Sequence, residues 1–301
     1  MKTVAIAGVG LIGASFGLAL REAGFEGDLI GVSSPDAIRA GLRKGAITRA
    51  ASLGEAASQA DLIYLAQPVD RILTTIEQLA GLVRPDTLLT DAGSTKQSIV
   101  NKAVECFEAS QFLGGHPMAG KESRGAEAAE ASLFRARPYV LTPLAPPSEP
   151  VREFKSWLAR IGADVIEMHP GEHDRTVALT SHLPQLISTA LAATLAARRD
   201  PHLEQIFGTG LLDMTRLAMS SADLWMPILR TNRENVAAAL DAFRTVLTDL
   251  QALHESDRLV ELFEVGSAWA TELRRLRCTT PADLSASQRP GSRSDSQSSA
   301  G

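Results

Sequence analysis

The first half of the chain alternates short apolar runs with segments whose apolar residues recur every three or four positions. Residues 3–7, 29–32, 62–66, 88–91, 112–114 and 139–142 read as strands. Residues 12–23, 35–44, 69–82 and 95–107 read as helices between them. Nearly continuous apolar strands separated by helices predict a parallel sheet covered on both faces. The Pro-rich stretch 143–150 is a loop, and a helix over 151–161 with a strand over 164–167 closes this first domain. Beyond it the pattern changes. From Glu172 to Arg275 turn signals are sparse, and helical spacing shows in Val177, Leu179, Leu183, Leu186 and Ile187, and again in Leu247, Leu250 and Leu253. Several helices are expected there, one of them long, and so apolar a helical region needs burial against another subunit. From Thr280 onward, Ser, Arg, Gln and Pro without apolar periodicity predict a disordered tail.

Composition narrows the picture. A chain of 301 residues with 45% apolar content suits two domains, with material for real cores. The formal net charge of −5 shows no basic excess, so a nucleic-acid partner is not expected. The opening apolar run stops at Gly8, which makes it a strand and not a signal peptide, and no run reaches the ~18 residues of a membrane span. Two cysteines, Cys106 and Cys278, make a disulfide framework improbable and point to a reducing cytoplasm. No metal site is expected.

The first candidate chemistry follows the first strand. Gly8-Val9-Gly10-Leu11-Ile12-Gly13 is a GxGxxG between a strand and an apolar-periodic helix. Gly8 permits the tight turn, Gly10 lets backbone approach a pyrophosphate, and Gly13 lets helix and strand pack closely, with the helix N-terminus drawing the phosphates. The fold class is therefore an α/β N-terminal Rossmann-type domain with a mostly parallel, doubly wound sheet over residues 1–168. An all-α C-terminal dimerisation domain over 169–279 and the tail 280–301 follow. A homodimer is the simplest assembly. The second strand should end in an acid that holds the ribose hydroxyls; here Ser33 stands in that place, followed by Ser34, Pro35 and Asp36. A serine does not repel a 2′-phosphate, and Ser33, Ser34 and Arg39 could hold one, so the cofactor is NAD or NADP with a lean to NADP. Asp36 reads as the cap of its helix. Gln67 and Pro68, and Ser94 in Asp91-Ala92-Gly93-Ser94, follow strands whose carboxyl ends face the ligand crevice. Ser94 would otherwise simply cap the helix from Thr95.

His116 falls in a glycine-flanked turn at the end of another strand, Gly114-Gly115-His116-Pro117. Here the chain resembles the prephenate/arogenate dehydrogenases of tyrosine biosynthesis. The resemblance rests on GVGLIGAS (8–15), DAGSTK (91–96), GHPMAGKE (115–122), HDR (173–175), SHLPQ (181–185) and DMTRLA (213–218), in the family's order over roughly residues 1–275. It implies oxidative decarboxylation of a cyclohexadienyl substrate. Hydride leaves C4 for the nicotinamide, the ring carboxylate departs as carbon dioxide, and the ring becomes aromatic. By the same resemblance His116 is the base on the C4 hydroxyl, a role suited to imidazole, and Ser94 binds that hydroxyl or orients His116. His182 helps bind substrate or cofactor, its alternative being a buried, hydrogen-bonded helix residue. Arg216 binds a substrate carboxylate with its fork. Asp213, three residues earlier, pairs with Arg216, and Glu122 joins them in an ionic gate; the alternative is an ordinary surface ion pair. The short polar tail leaves no room for an ACT domain or a fused chorismate mutase.

Two other readings compete. A β-hydroxyacid or imine-reducing dehydrogenase would rely on a lysine of the C-terminal helices, and no lysine follows Lys155. A non-catalytic nucleotide-binding protein would have lost His116 or Arg216, and both are present.

Overall fold

The computed structural model describes residues 1–121, 123–198, 200–203, 205–252 and 257–278; Glu122 and the tail from 280 lie outside them. The chain forms two compact units, Met1–Asp241 and Ala242–Gly301.

In the first unit, eight strands form one sheet: β1 (Thr3–Ala7), β2 (Asp28–Val32), β3 (Arg49–Ala50), β4 (Leu62–Leu65), β5 (Leu88–Asp91), β6 (Phe112–Pro117), β7 (Pro138–Thr142) and β8 (Asp164–Glu167). Their order is β3-β2-β1-β4-β5-β6-β7-β8. All pairs are parallel except β6 with β7. The order reverses at β1, so β1 and β4 diverge in their connections, and a crevice opens at their carboxyl ends where ligands bind.

Helices α1 (Leu11–Glu22), α2 (Pro35–Lys44), α3 (Leu53–Gln59), α4 (Val69–Leu79), α5 (Gln97–Cys106) and α6 (Glu149–Arg160) cover the sheet. Two apolar clusters divide its faces. One gathers Ile6, Phe16, Leu20, Tyr64 and Phe154, with Phe16 stacked on Tyr64 at 4.0 Å. The other gathers Ile30, Ile63, Leu65, Ile72, Ile99 and Phe112. Strands buried on both faces explain why the apolar runs carry no alternation.

Four elements depart from the sequence pattern. β3 and α3 are not marked by apolar runs; Ser52 and Glu55 start α3 with a reciprocal capping box. β6 runs three residues further than expected, because β7 pairs with it antiparallel and matches His116 to Val140. His116 is thus held inside a strand. α5 begins at Gln97, two residues later than expected.

After β8 the chain is helical. α7 (Pro170–Val177) passes through a π-helical turn (Ala178–His182) directly into α8 (Leu183–Arg198), followed by α9 (Thr209–Thr215), a 3₁₀ turn (Arg216–Met219) and α10 (Ala222–Thr231). α11 (Arg233–Ala252) and α12 (Asp257–Cys278) are both long. Among the described residues no helix is long and apolar enough to cross a membrane, and no cluster of ligating side chains suits a metal.

Candidate active site

The turn after β1 is built on backbone approach. Gly8 has φ +96°, and a Cβ there would lie 2.5 Å from the Ala66 carbonyl oxygen. A Cβ on Gly13 would lie 2.1 Å from the Gly8 oxygen, so α1 meets the turn only as glycine. Gly10 has nothing within 4 Å of its missing Cβ. It is also the N-cap of α1 and supplies no side-chain hydrogen bond to it, leaving the first-turn amides for a ligand. A dinucleotide pyrophosphate fits this arrangement.

Two clefts meet there, sharing Gln67 and Pro68. The first, about 1090 Å³, is lined by Gly8, Gly10, Ser33, Ser34 and three arginines, Arg39, Arg43 and Arg71. Arg39 is ion-paired to Asp36 and Arg43 to Glu127. Asp36 does not cap α2: Ser34 holds that position, and Asp36 sits in the first turn facing Arg39. The helix starts at Pro35, whose fixed φ suits the first helical position. The second cleft, about 1200 Å³, is lined by Leu11, Ile12, Ser94, Lys121, Arg124 and Arg216 among others. Gln67 is fixed by a 2.8 Å hydrogen bond from Thr75.

A buried polar chain links β5, β6 and the start of α5 to α7. His116 Nδ1 is 2.8 Å from His173 Nε2, and His173 Nδ1 is 2.8 Å from Asp174 Oδ1. Asp174 also accepts the backbone N–H groups of Lys96 (2.7 Å) and Gln97 (2.9 Å). It therefore caps α5 from across the fold, and Ser94 does not. Asn232 Nδ2 donates to the Asp174 carbonyl (2.7 Å) and lies 3.3 Å from His182 Nδ1. Lys96, fully buried, pairs with Asp91 and donates to the Gly115 carbonyl at 2.6 Å. Asp91 in turn accepts from the Gly93 and Gly115 amides.

Burial sets the electrostatics. It pulls the Lys96 ammonium below its ordinary range, with Asp91 pulling back. It holds the His116 imidazole well below the usual histidine range, helped by neighbouring His173, Lys96 and His182. Burial lowers His182 to about 4 against the pull of Asp174. Both rings are neutral at neutral pH.

Of the expected residues, Leu11, Ile12, Gln67, Pro68, Ser94 and Arg216 line the second cleft, and Gly8, Gly10, Ser33, Ser34 and Arg39 the first. Gly13 lies beneath the turn. His116 and His182 are buried, and His182 packs its ring edge-on to Trp225 at 5.8 Å. It sits in the π-helical turn, a distortion frequent at functional sites. Asp213 is an exposed residue of α9, and Arg216 opens the 3₁₀ turn after it. Glu122 lies outside the described residues.

Sequence reasoning assigned no role to Asp91, Lys96, His173, Asp174 or Asn232. The only signal for the first four was their presence in the DAGSTK and HDR segments. Asn232 carried none.

A glycine turn opening a helix at the sheet's switch point, with a buried histidine on the strand that leads into the neighbouring cleft, defines a dinucleotide-dependent dehydrogenase class with an appended helical region. The chain belongs to the prephenate dehydrogenase family. The family's nucleotide-binding domain matches residues 16–167 and its dimerization domain residues 169–265. The chain is 31% identical over 274 residues to a prephenate dehydrogenase of Lactococcus lactis, covering 88% of this chain and 76% of that protein. Its fold is similar to a prephenate dehydrogenase from A. aeolicus in complex with hydroxyphenyl propionate and NAD+ (TM-score 0.84, 30% identity, 91% and 98% of the two chains). It is also similar to an arogenate dehydrogenase of Synechocystis (TM-score 0.76, 29% identity, 91% and 99%).

Proposed function

We propose that this chain oxidatively decarboxylates prephenate, to 4-hydroxyphenylpyruvate, or arogenate, to tyrosine. The observation that carries this reading is a buried histidine, His116, near the carboxyl end of β6, three residues before the chain enters the lining of the second cleft at Ala119. The bound nicotinamide supplies the acceptor for the hydride that leaves substrate C4.

The protein's own groups do the rest. His116 takes the proton of the C4 hydroxyl, which it can do because it is not already charged. Ser94 hydrogen-bonds the same hydroxyl. Arg216 and Arg124 offer cationic anchors for the substrate carboxylates from the cleft walls. Asp213 belongs to the mouth of the site in this reading, and His182, with Asn232, supports its buried end. The helical region joins two copies into a homodimer. Its support is the match to a dimerization domain and the exposure of Val260, Phe263, Val265 and Trp269 on α12.

NAD is the cofactor favoured by the relative whose structure contains it. One observation favours NADP as a second reading. Ser33 and Ser34 stand where a ribose-binding acid would, and Arg71, which makes no ion pair among the described residues, lines the same cleft. An absorbance assay for reduced nicotinamide, with prephenate and arogenate each against NAD and NADP, tests the whole reading. Turnover in at least one combination is expected; cofactor binding with no turnover in any would overturn it.

A further inference from the structure

The buried polar chain from Asp174 through His173 has a direction, and that direction reaches His116. We propose that His173, fixed by Asp174, acts as a positioning residue that sets the tautomer of His116, leaving Nε2 as its lone-pair nitrogen. The inference rests on the reading of His116 as the base.

The polar chain is anchored at Asp174. Its carboxylate receives two backbone N–H groups, from Lys96 and Gln97, and an ionised carboxylate only accepts. The third contact, from His173 Nδ1 at 2.8 Å, is therefore an N–H donated to Asp174. A neutral His173 with its proton on Nδ1 carries a lone pair on Nε2. That lone pair faces His116 Nδ1 at 2.8 Å, a separation that needs one hydrogen between the two nitrogens. The hydrogen must be on His116 Nδ1, and Nε2 of His116 is left bare.

The opposite arrangement requires either a protonated His173 or a reversed bond to Asp174. A protonated His173 would place another cation in a region where the Lys96 ammonium already bears on His116. A reversed bond would set a carboxylate against a ring nitrogen with no hydrogen between them. Neither fits a chain of groups as buried as His116, His173 and Asp174.

The consequence for the reaction is specific. The substrate O–H bond breaks as a new N–H bond forms on Nε2. The resulting imidazolium keeps its Nδ1–H on His173, which remains anchored to Asp174. The ring orientation is unchanged during the transfer, and the new positive charge is linked through two hydrogen bonds to a carboxylate. His173 touches neither substrate nor cofactor in this account.

Two measurements test it. The first is nitrogen-15 NMR of the full-length protein labelled at histidine, with the His116 signals assigned by their loss in His116→Asn. The expected result is hydrogen on Nδ1 and none on Nε2; hydrogen on Nε2 overturns the proposal. This readout needs no turnover, so it decides the tautomer even if the proposed reaction fails. The second compares His173→Leu with His173→Gln in the active enzyme. Leucine removes the acceptor, and kcat is expected to fall about 10²-fold with KM held, the lower end of a general base's contribution. Glutamine, whose side-chain oxygen can accept the same hydrogen bond, is expected to recover most of the rate. Wild-type kcat in His173→Leu, or a His173→Gln enzyme as slow as the leucine variant, overturns the role. If His116→Asn retains full kcat, the base assignment itself fails, and that outcome is separate from both.

Discussion

At the nucleotide end of the site, Gly8, Gly10 and Gly13 lie within two turns of chain, and the charged groups around them, Arg39, Arg43, Asp36 and Glu127, are exposed. At the other end, Asp91, Lys96, His116, His173, Asp174 and Asn232 come from several elements spread over residues 91–232, and all are buried. The first end is shaped by local backbone geometry. The second is held by hydrogen bonds that exist only once the fold has closed. The same substitution chemistry should therefore cost little at one end and much at the other.

The largest contrast is expected at Lys96. Lys96→Met leaves the Asp91 carboxylate buried without its cation and should destabilise the protein by about 3–5 kcal/mol. Urea unfolding measures it, and a loss below 1 kcal/mol would erase the contrast. Asp91→Asn added to that variant should return part of the loss, since no charge is then stranded.

Acid comes next. His182 titrates at about 4 in the fold against an ordinary 6.5, so between those values the unfolded chain binds more protons than the native one. Stability from this residue is present above pH 6.5 and is lost as pH falls toward 4, by about 3 kcal/mol in all. His116, also depressed, acts in the same sense. Unfolding midpoints at pH 7.5 and 4.5 should differ less in His182→Gln than in the parent; equal slopes would place the acid sensitivity elsewhere.

For activity, His116→Asn should lower kcat about 10²-fold or more while the cofactor still binds. Arg216→Ala should mainly raise KM. Steady-state kinetics separate the two, and an unchanged kcat in His116→Asn would remove the base.

The nucleotide end should respond to packing and ignore charge. Gly13→Ala forces a Cβ against the Gly8 oxygen and should cost about 1–3 kcal/mol in stability or cofactor affinity. Asp36→Ala, which breaks an exposed pair, should cost less than about 1 kcal/mol. If the ranking reverses, the glycine geometry does not govern this end.

What the sequence made legible follows the same line. β1, the glycine turn and α1 were readable because spacing, residue type and structure coincide over neighbouring positions. The strands of the sheet were readable because burial on both faces makes them apolar throughout. β3 and α3 were not, since a two-residue edge strand has no pattern and a seven-residue helix shows only its cap. Ser94 carried a helix cap as its alternative role because local sequence is where caps are usually found. The carboxylate that fills the role, Asp174, lies 78 residues beyond Lys96. His116 looked like a turn residue because its antiparallel partner, Val140, is invisible from its own neighbourhood. The motifs flagged the right segments, but no periodicity or spacing encodes which of their side chains touch.

Asp174 also bears on where this chain can be divided. The two family matches meet between residues 167 and 169, which suggests a seam for exchanging the helical region between relatives. Yet α7, just past that seam, gives a sheet-side helix its side-chain cap at Lys96 and Gln97 and gives His116 its neighbour. A graft joined at the seam would import a foreign α7 and expose two amides of its host. Joined after His182, it would keep both halves of the clasp from one parent. The unit of inheritance in this protein is thus the sheet together with the first helix beyond it.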